Sequence, residues 1–178
     1  MLALYPTPVT VVGAMTESGK PNWMLVAHVG IIGHDRLMIS CAKPHYTNTA
    51  IKKTGVVSVN LVSEEMLPKA DYVGSVSGAK TDKSGVFAYV VGKHGSPVID
   101  MSPLVLECSV VDNYETETFD NFILKIEATY AEESVVNENG KPDYNKLKPV
   151  LFEFPTYSYL KTGEVIGKCL TIGKDLYK

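Results

Sequence analysis

Phe122-Ile123-Leu124-Lys125-Ile126-Glu127-Ala128-Thr129-Tyr130 reads as a β-strand by its alternation. Phe122, Leu124, Ile126, Ala128 and Tyr130 fall on one face, while Lys125, Glu127 and Thr129 take the other. Strand side chains alternate between faces, so this pattern marks a half-buried strand of the kind antiparallel sheets use. Leu104, Leu106, Cys108 and Val110 repeat it upstream. Residues 8–15 (PVTVVGAM) and 22–32 (NWMLVAHVGII) flank a Glu17-Ser18-Gly19-Lys20 turn, which predicts a hairpin. Residues 36–41 and 56–62 add two more strands. Helical character is confined to residues 47–53, stopped by Gly55, and to a short helix with Ser63 as N-cap and Glu65 and Met66 in its first turn. A doubly wound α/β fold would need helices of about 10–15 residues between most strands, and a nicotinamide-binding Rossmann domain would need a GxGxxG after a strand. Neither is present. The expected fold is mainly β, a closed or partly closed barrel with a few short helices.

The chain has 178 residues, 45% of them hydrophobic, and 17 Lys+Arg against 20 Asp+Glu give a net charge of −3. This is a globular composition suited to one domain spanning residues 1–178. The slightly acidic balance offers no footprint for nucleic acid. No apolar run reaches the roughly 20 residues that span a bilayer, so no membrane role is expected. Residues 1–15 are broken by Pro6 and Pro8 and lack a basic head, which makes a poor signal peptide and points to the cytoplasm. Cys41, Cys108 and Cys169 are too sparse for a disulfide scaffold and fit a reducing compartment. The four histidines are scattered, with no metal-binding spacing. Arg36 is the only arginine, so any anion site must use lysine, histidine, hydroxyls or backbone amides.

The segment most suggestive of chemistry is Cys41-Ala42-Lys43-Pro44-His45-Tyr46-Thr47-Asn48, a strand end running into a helix start. The first amides of a helix are unpaired and partially positive. Lys43, His45 and Thr47 add a cation, an imidazole and a hydroxyl there, a set that suits a phosphate monoester. A simpler arrangement uses the same residues: Thr47 or Asn48 caps the helix while Lys43 and His45 are solvated. Ser77-Gly78-Ala79-Lys80-Thr81-Asp82-Lys83-Ser84 is small, flexible and basic, fit for a ligand loop or an ordinary surface loop. Trp23, the single tryptophan, reads first as a core anchor.

In order along the chain stand Pro8-Val9 with Val11-Val12, Gly19 and Asn22, the Lys43–Thr47 segment with Ile51 and Gly55, Val59-Asn60, Ser77-Gly78 with Asp82-Lys83, and Leu106-Glu107-Cys108. This ordered set, covering residues 8–130, resembles the flavin reductase-like family of FMN-binding split barrels that includes the flavoredoxins. The resemblance implies a homodimer with one FMN per subunit. It implies that Lys43, His45 and Thr47 hold the phosphate, and that Asn22, Met24, Val26, Ala27, Ser40, Cys41 and Ala42 edge the ring system. Asn60 would be the asparagine of the strand after the helix, and Ser77, Gly78 and Lys83 would close the pocket. Many relatives carry arginine where this chain has Lys43 or Lys80, and lysine lacks the bidentate fork.

The implied activity is hydride transfer from NAD(P)H to bound FMN, with electrons passed to a free flavin or a protein acceptor. The cofactor carries that chemistry, so no protein acid–base residue is required. Cys41 reads as a buried filler rather than a redox group. A pyridoxamine-phosphate-oxidase-like barrel and a non-catalytic module that stores FMN or carries its electrons are the alternatives. The aromatic stretch Tyr157-Ser158-Tyr159-Leu160 gives an open barrel edge a motive for dimerisation.

Overall fold

In the computed structural model, which describes residues 3–177, the chain path explains how a barrel closes. The strands in the first third are β1 (Thr7–Pro8), β2 (Thr10–Met15), β3 (Pro21–Val26), β4 (Val29–Ile31) and β5 (Arg36–Ala42). Helix α1 (Tyr46–Thr54), β6 (Val56–Leu61) and helix α2 (Leu67–Ser75) follow. Then come β7 (Tyr89–Val91), β8 (Pro97–Ile99), β9 (Leu104–Glu115) and β10 (Phe119–Ala131), and finally α3 (Tyr144–Leu147), β11 (Leu151–Glu153) and β12 (Ser158–Leu160). Seven strands form one antiparallel sheet in the order β3-β2-β6-β9-β10-β5-β4. β3 and β4 are consecutive in sequence yet lie at opposite edges. Only Ala27 and His28 separate them, so the sheet must curl until its edges meet at that joint. The His28 carbonyl accepts from the Ser40 amide across 2.9 Å, tying the joint to β5. The mainly β split barrel with short helices is thus the observed architecture. The single strand expected over residues 22–32 is two strands, broken at the point of closure.

The barrel core holds Val12, Ala14, Met24, Val26, Leu37, Ile39, Phe122 and Leu124, and Ala50 and Ile51 of α1 plug one end. A second core on the outer face packs Val9, Val11 and Trp23 against Met66, Ala70 and Val73 of the α2 region and against Phe87 and Ile99. β2 is buried on both faces, which is why residues 8–15 read as a continuous apolar run rather than an alternation. Trp23 is the core anchor expected of it, wholly buried and edge-on to Phe87 and Tyr89.

The alternation in β10 holds only as far as Ile126. Ile126 pairs with Cys108, but Ala128 pairs with Glu107, so Glu127 is the extra residue of a bulge. A bulge shifts every following side chain to the opposite face. Tyr130 therefore leaves the Phe122–Ile126 face and donates its hydroxyl to Glu107 Oε2 at 2.7 Å. Burial pushes the Glu107 carboxyl up, but donors from Tyr130, Ser96 and His94 together hold it below the ordinary value.

Candidate functional site

Helix α1 begins one residue earlier than expected. His45 is its N-cap with extended backbone and makes no side-chain cap bond, so neither Thr47 nor Asn48 caps it. Both lie in the first turn and are buried, Thr47 at 2% and Asn48 at 3% exposure. Gly55 ends the helix in the left-handed conformation (φ 65°), which costs a residue without Cβ nothing. The second helix also shifts. Ser63 caps the turn over residues 64–66, its Oγ accepting from the Met66 amide at 3.2 Å, and the helix proper starts at Leu67 with a proline in its first turn.

One long groove runs from the barrel joint past the N-terminus of α1. Its first part is a cavity of about 490 Å³, floored by Met24, Val26, Ala27, Ser40, Cys41 and Ala42 and roofed by Phe152, Phe154, Tyr157 and Tyr159. Its second part, about 440 Å³, shares Met24, Leu25, Ala42, His45 and Gly74 with the first and continues to Thr47, Ser77, Gly78, Lys80 and Lys83. A third, polar hollow of about 360 Å³ adjoins the same loop and includes Asn22, Gly78 and Lys83. Twelve of the fourteen residues expected at the site line these hollows.

At the polar end, Asn22 Nδ2 donates to Thr47 Oγ1 across 2.7 Å. A hydroxyl that accepts one hydrogen bond keeps its own proton to give. Gly78 packs directly on the Asn22 side chain and Tyr46. An added Cβ would come within 2.7 Å of Tyr46 Cδ1 and 2.9 Å of Asn22 Cγ, so this close approach requires glycine. Lys83 is 4% exposed. Its ammonium donates to the Val73 and Val76 carbonyls at 2.9 and 3.0 Å, closing the C-terminal end of α2. Burial lowers the Lys83 pKa. Burial against the groove walls, and then the charge of Lys83, lowers that of His45. Two cationic groups thus face one another with no carboxylate between them among the described residues, an arrangement that an anionic ligand relieves.

Two expected residues lie elsewhere. Lys43 is paired with Glu115 at 3.1 Å, in a network where Lys52 also meets Glu115 and the buried Asp120. It lines none of the hollows described above, because β9 and β10 extend past α1 and carry carboxylates to it. Asn60 is wholly buried in β6. Its Nδ2 donates to the Val11 carbonyl and Ser58 Oγ, and its Oδ1 accepts from the Ile99 amide. It fastens the sheet to β8 rather than facing the groove. Cys41 lines the groove, but burial and then the Asp120 charge push its thiol up to about 12, which leaves it inert as a nucleophile.

Sequence reasoning missed the roof. Phe152, Phe154, Tyr157 and Tyr159 form a mutually packed aromatic cluster with Tyr5 and His28. β11 is held by pairing with β1, and Tyr159 donates to Asp71 of α2 at 2.6 Å. The aromatic density of residues 152–159 was the available signal, and it was read as a dimer surface. Among the described residues no cluster of three or more His, Cys, Asp or Glu could hold a metal ion, and no helix is long and apolar enough to cross a membrane.

A groove apolar and aromatic at one end and cationic at the other has clear relatives. The flavoredoxin of Methanosarcina acetivorans is 39% identical and superimposes with a TM-score of 0.92 over 97% of this chain and 94% of that one. The flavoredoxin of Desulfovibrio vulgaris is 30% identical, with a TM-score of 0.91 over 98% of this chain and 96% of that one. An FMN-binding protein from Thermus thermophilus with bound 1-cyclohex-2-enone shares the fold at 21% identity, with a TM-score of 0.81 over 93% and 92% of the two chains. The flavin reductase like domain matches residues 1–160, nearly the whole of the barrel and its aromatic roof, and the chain belongs to that family.

Proposed function

We propose that this protein is an FMN-dependent oxidoreductase that accepts hydride from NAD(P)H and passes electrons to a free flavin or a protein acceptor. The observation that carries this reading is the polarity gradient of the groove. A ligand matching it has a flat apolar ring system at one end and a phosphate at the other. The residues suit that group: Gly78 leaves room for close approach, Thr47 offers a hydroxyl proton, and Lys80 and Lys83 offset a dianion. Unpaired amides at the start of α1 add to the same field.

FMN, when bound, would supply hydride and single-electron chemistry. Met24, Val26, Ala27 and Ala42 would wall its ring system, and the aromatic roof would keep water from it. His45 would stand between ring and phosphate. A homodimer and a cytoplasmic location belong to the same reading. Exposed Ile31, Val91 and Tyr114, 87%, 61% and 67% accessible, supply apolar surface for a second copy, and three free thiols suit a reducing compartment.

The test is the absorption spectrum of protein incubated with FMN and desalted, then exposed to NADH or NADPH without oxygen. Retained flavin that bleaches on addition supports the oxidoreductase. Retained flavin that never bleaches favours an electron carrier reduced by another protein. No retained flavin overturns both.

A further inference from the structure

The groove does not end where a flavin ring would. Beyond Met24 and Ala42 its wall passes to the joint residue His28, with Phe119, Phe154 and Tyr157 around it. Phe154 stacks on His28 with ring centroids 6.1 Å apart and planes 23° from parallel, and lies 4.7 Å from Tyr157. Tyr5 stacks on the same Phe154 and hydrogen-bonds His28 Nε2 at 2.9 Å. No lysine, arginine, aspartate or glutamate lines this end, since the lysines that line the groove belong to its other part.

We propose that this aromatic end is a second subsite, built for a neutral planar ring bearing a carbonyl oxygen, and that His28 is the residue that orients it. Three features select that chemistry. Edge and face contacts with aromatic rings favour a flat ligand. The absence of a cation at this end disfavours a carboxylate or sulfonate, which would lose its hydration without a partner. The imidazole supplies one directional contact. With the Tyr5 hydroxyl donating to Nε2, the neutral ring carries its proton on Nδ1, and that N–H is the donor for a carbonyl oxygen. The two parts of the groove, about 490 and 440 Å³, each lie in the range of a complete small-molecule pocket, so a cofactor leaves room for this second ring. The inference rests on the FMN reading and names the class of small acceptor that reading leaves open.

The probe pair is 2-acetylnaphthalene and 2-naphthoate, one ring system with a ketone or a carboxylate, titrated into FMN-loaded protein by equilibrium dialysis. The ketone is expected to bind at least about tenfold more tightly than the carboxylate, and the infrared carbonyl stretch of the bound ketone to fall. His28→Phe, which keeps the stacking, should abolish the infrared shift. Phe154→Ala should weaken binding about tenfold while keeping the shift. Equal or tighter binding of the naphthoate, or an unmoved stretch in the parent protein, overturns the proposal. Flavin uptake is read first from the visible spectrum. Uptake without ketone binding defeats this subsite alone, whereas failure of uptake defeats the cofactor reading, and the same ketone titration on flavin-free protein then decides the subsite by itself.

Discussion

Asn22 on β3 and Thr47 on α1, 25 residues apart, share a buried 2.7 Å hydrogen bond in which the amide donates and the hydroxyl accepts. This fixes the direction of the Thr47 proton, which has the polar end of the groove in front of it. Thr47→Val should weaken FMN binding by about 1–3 kcal/mol, read by fluorescence quenching on titration. Thr47→Ser should restore most of it. A variant with unchanged affinity and a lowered melting temperature would return Thr47 to a structural role.

Lys83 serves two ends at once. Replacing it with Met removes two buried charge-assisted bonds to the end of α2, and unfolding should become easier by about 2–4 kcal/mol in urea. FMN affinity should drop as well, and its dependence on salt concentration should flatten. Salt-insensitive binding in the parent protein would remove Lys83 from the anion site.

The pH response follows from His45. Its pKa lies below the usual 6.5, so the free protein disfavours the imidazolium. A phosphate dianion favours it, so binding takes up a proton and FMN affinity should rise as pH falls from about 8 to about 6. Riboflavin, lacking the phosphate, should show no such slope, and His45→Gln should flatten the slope for FMN. Because the folded-state pKa is the lower one, His45 also withdraws stability from the free protein as pH falls below its unfolded value. Melting temperatures of parent and His45→Gln should therefore converge at high pH.

Gly78→Ala places a methyl group on Asn22 and Tyr46. Accommodating it requires Asn22 to move, which breaks the bond to Thr47. A loss of about 1–3 kcal/mol in stability is expected, with an FMN affinity no better than that of Thr47→Val. A double Gly78→Ala/Thr47→Val variant should bind no worse than Thr47→Val alone, since both act through one contact.

How much of this was legible beforehand depends on range. Period-two patterns marked β9 and β10, β-branched composition marked β2, and Gly55 marked the end of α1, because each is dictated by neighbours along the chain. The bulge at Glu127 was not legible, since an extra residue is defined only against the partner strand. It moved Tyr130 to the opposite face. Lys43 was placed in the anion site because it is adjacent in sequence, but Glu115 reaches it from the end of β9.

The residue order alone determined the β-rich class, the strand–helix–strand unit around Thr47 and the basic loop ending in Lys83. Local hydrophobic period and backbone preference need no partner. Folding in three dimensions decided which of those groups meet. The sheet edges close at Ala27–His28, Asn60 is drawn into the core, and the residue 152–159 hairpin becomes the roof over the groove. Those outcomes depend on burial and pairing between segments more than a hundred residues apart, such as β1 with β11, and no local pattern encodes such distances.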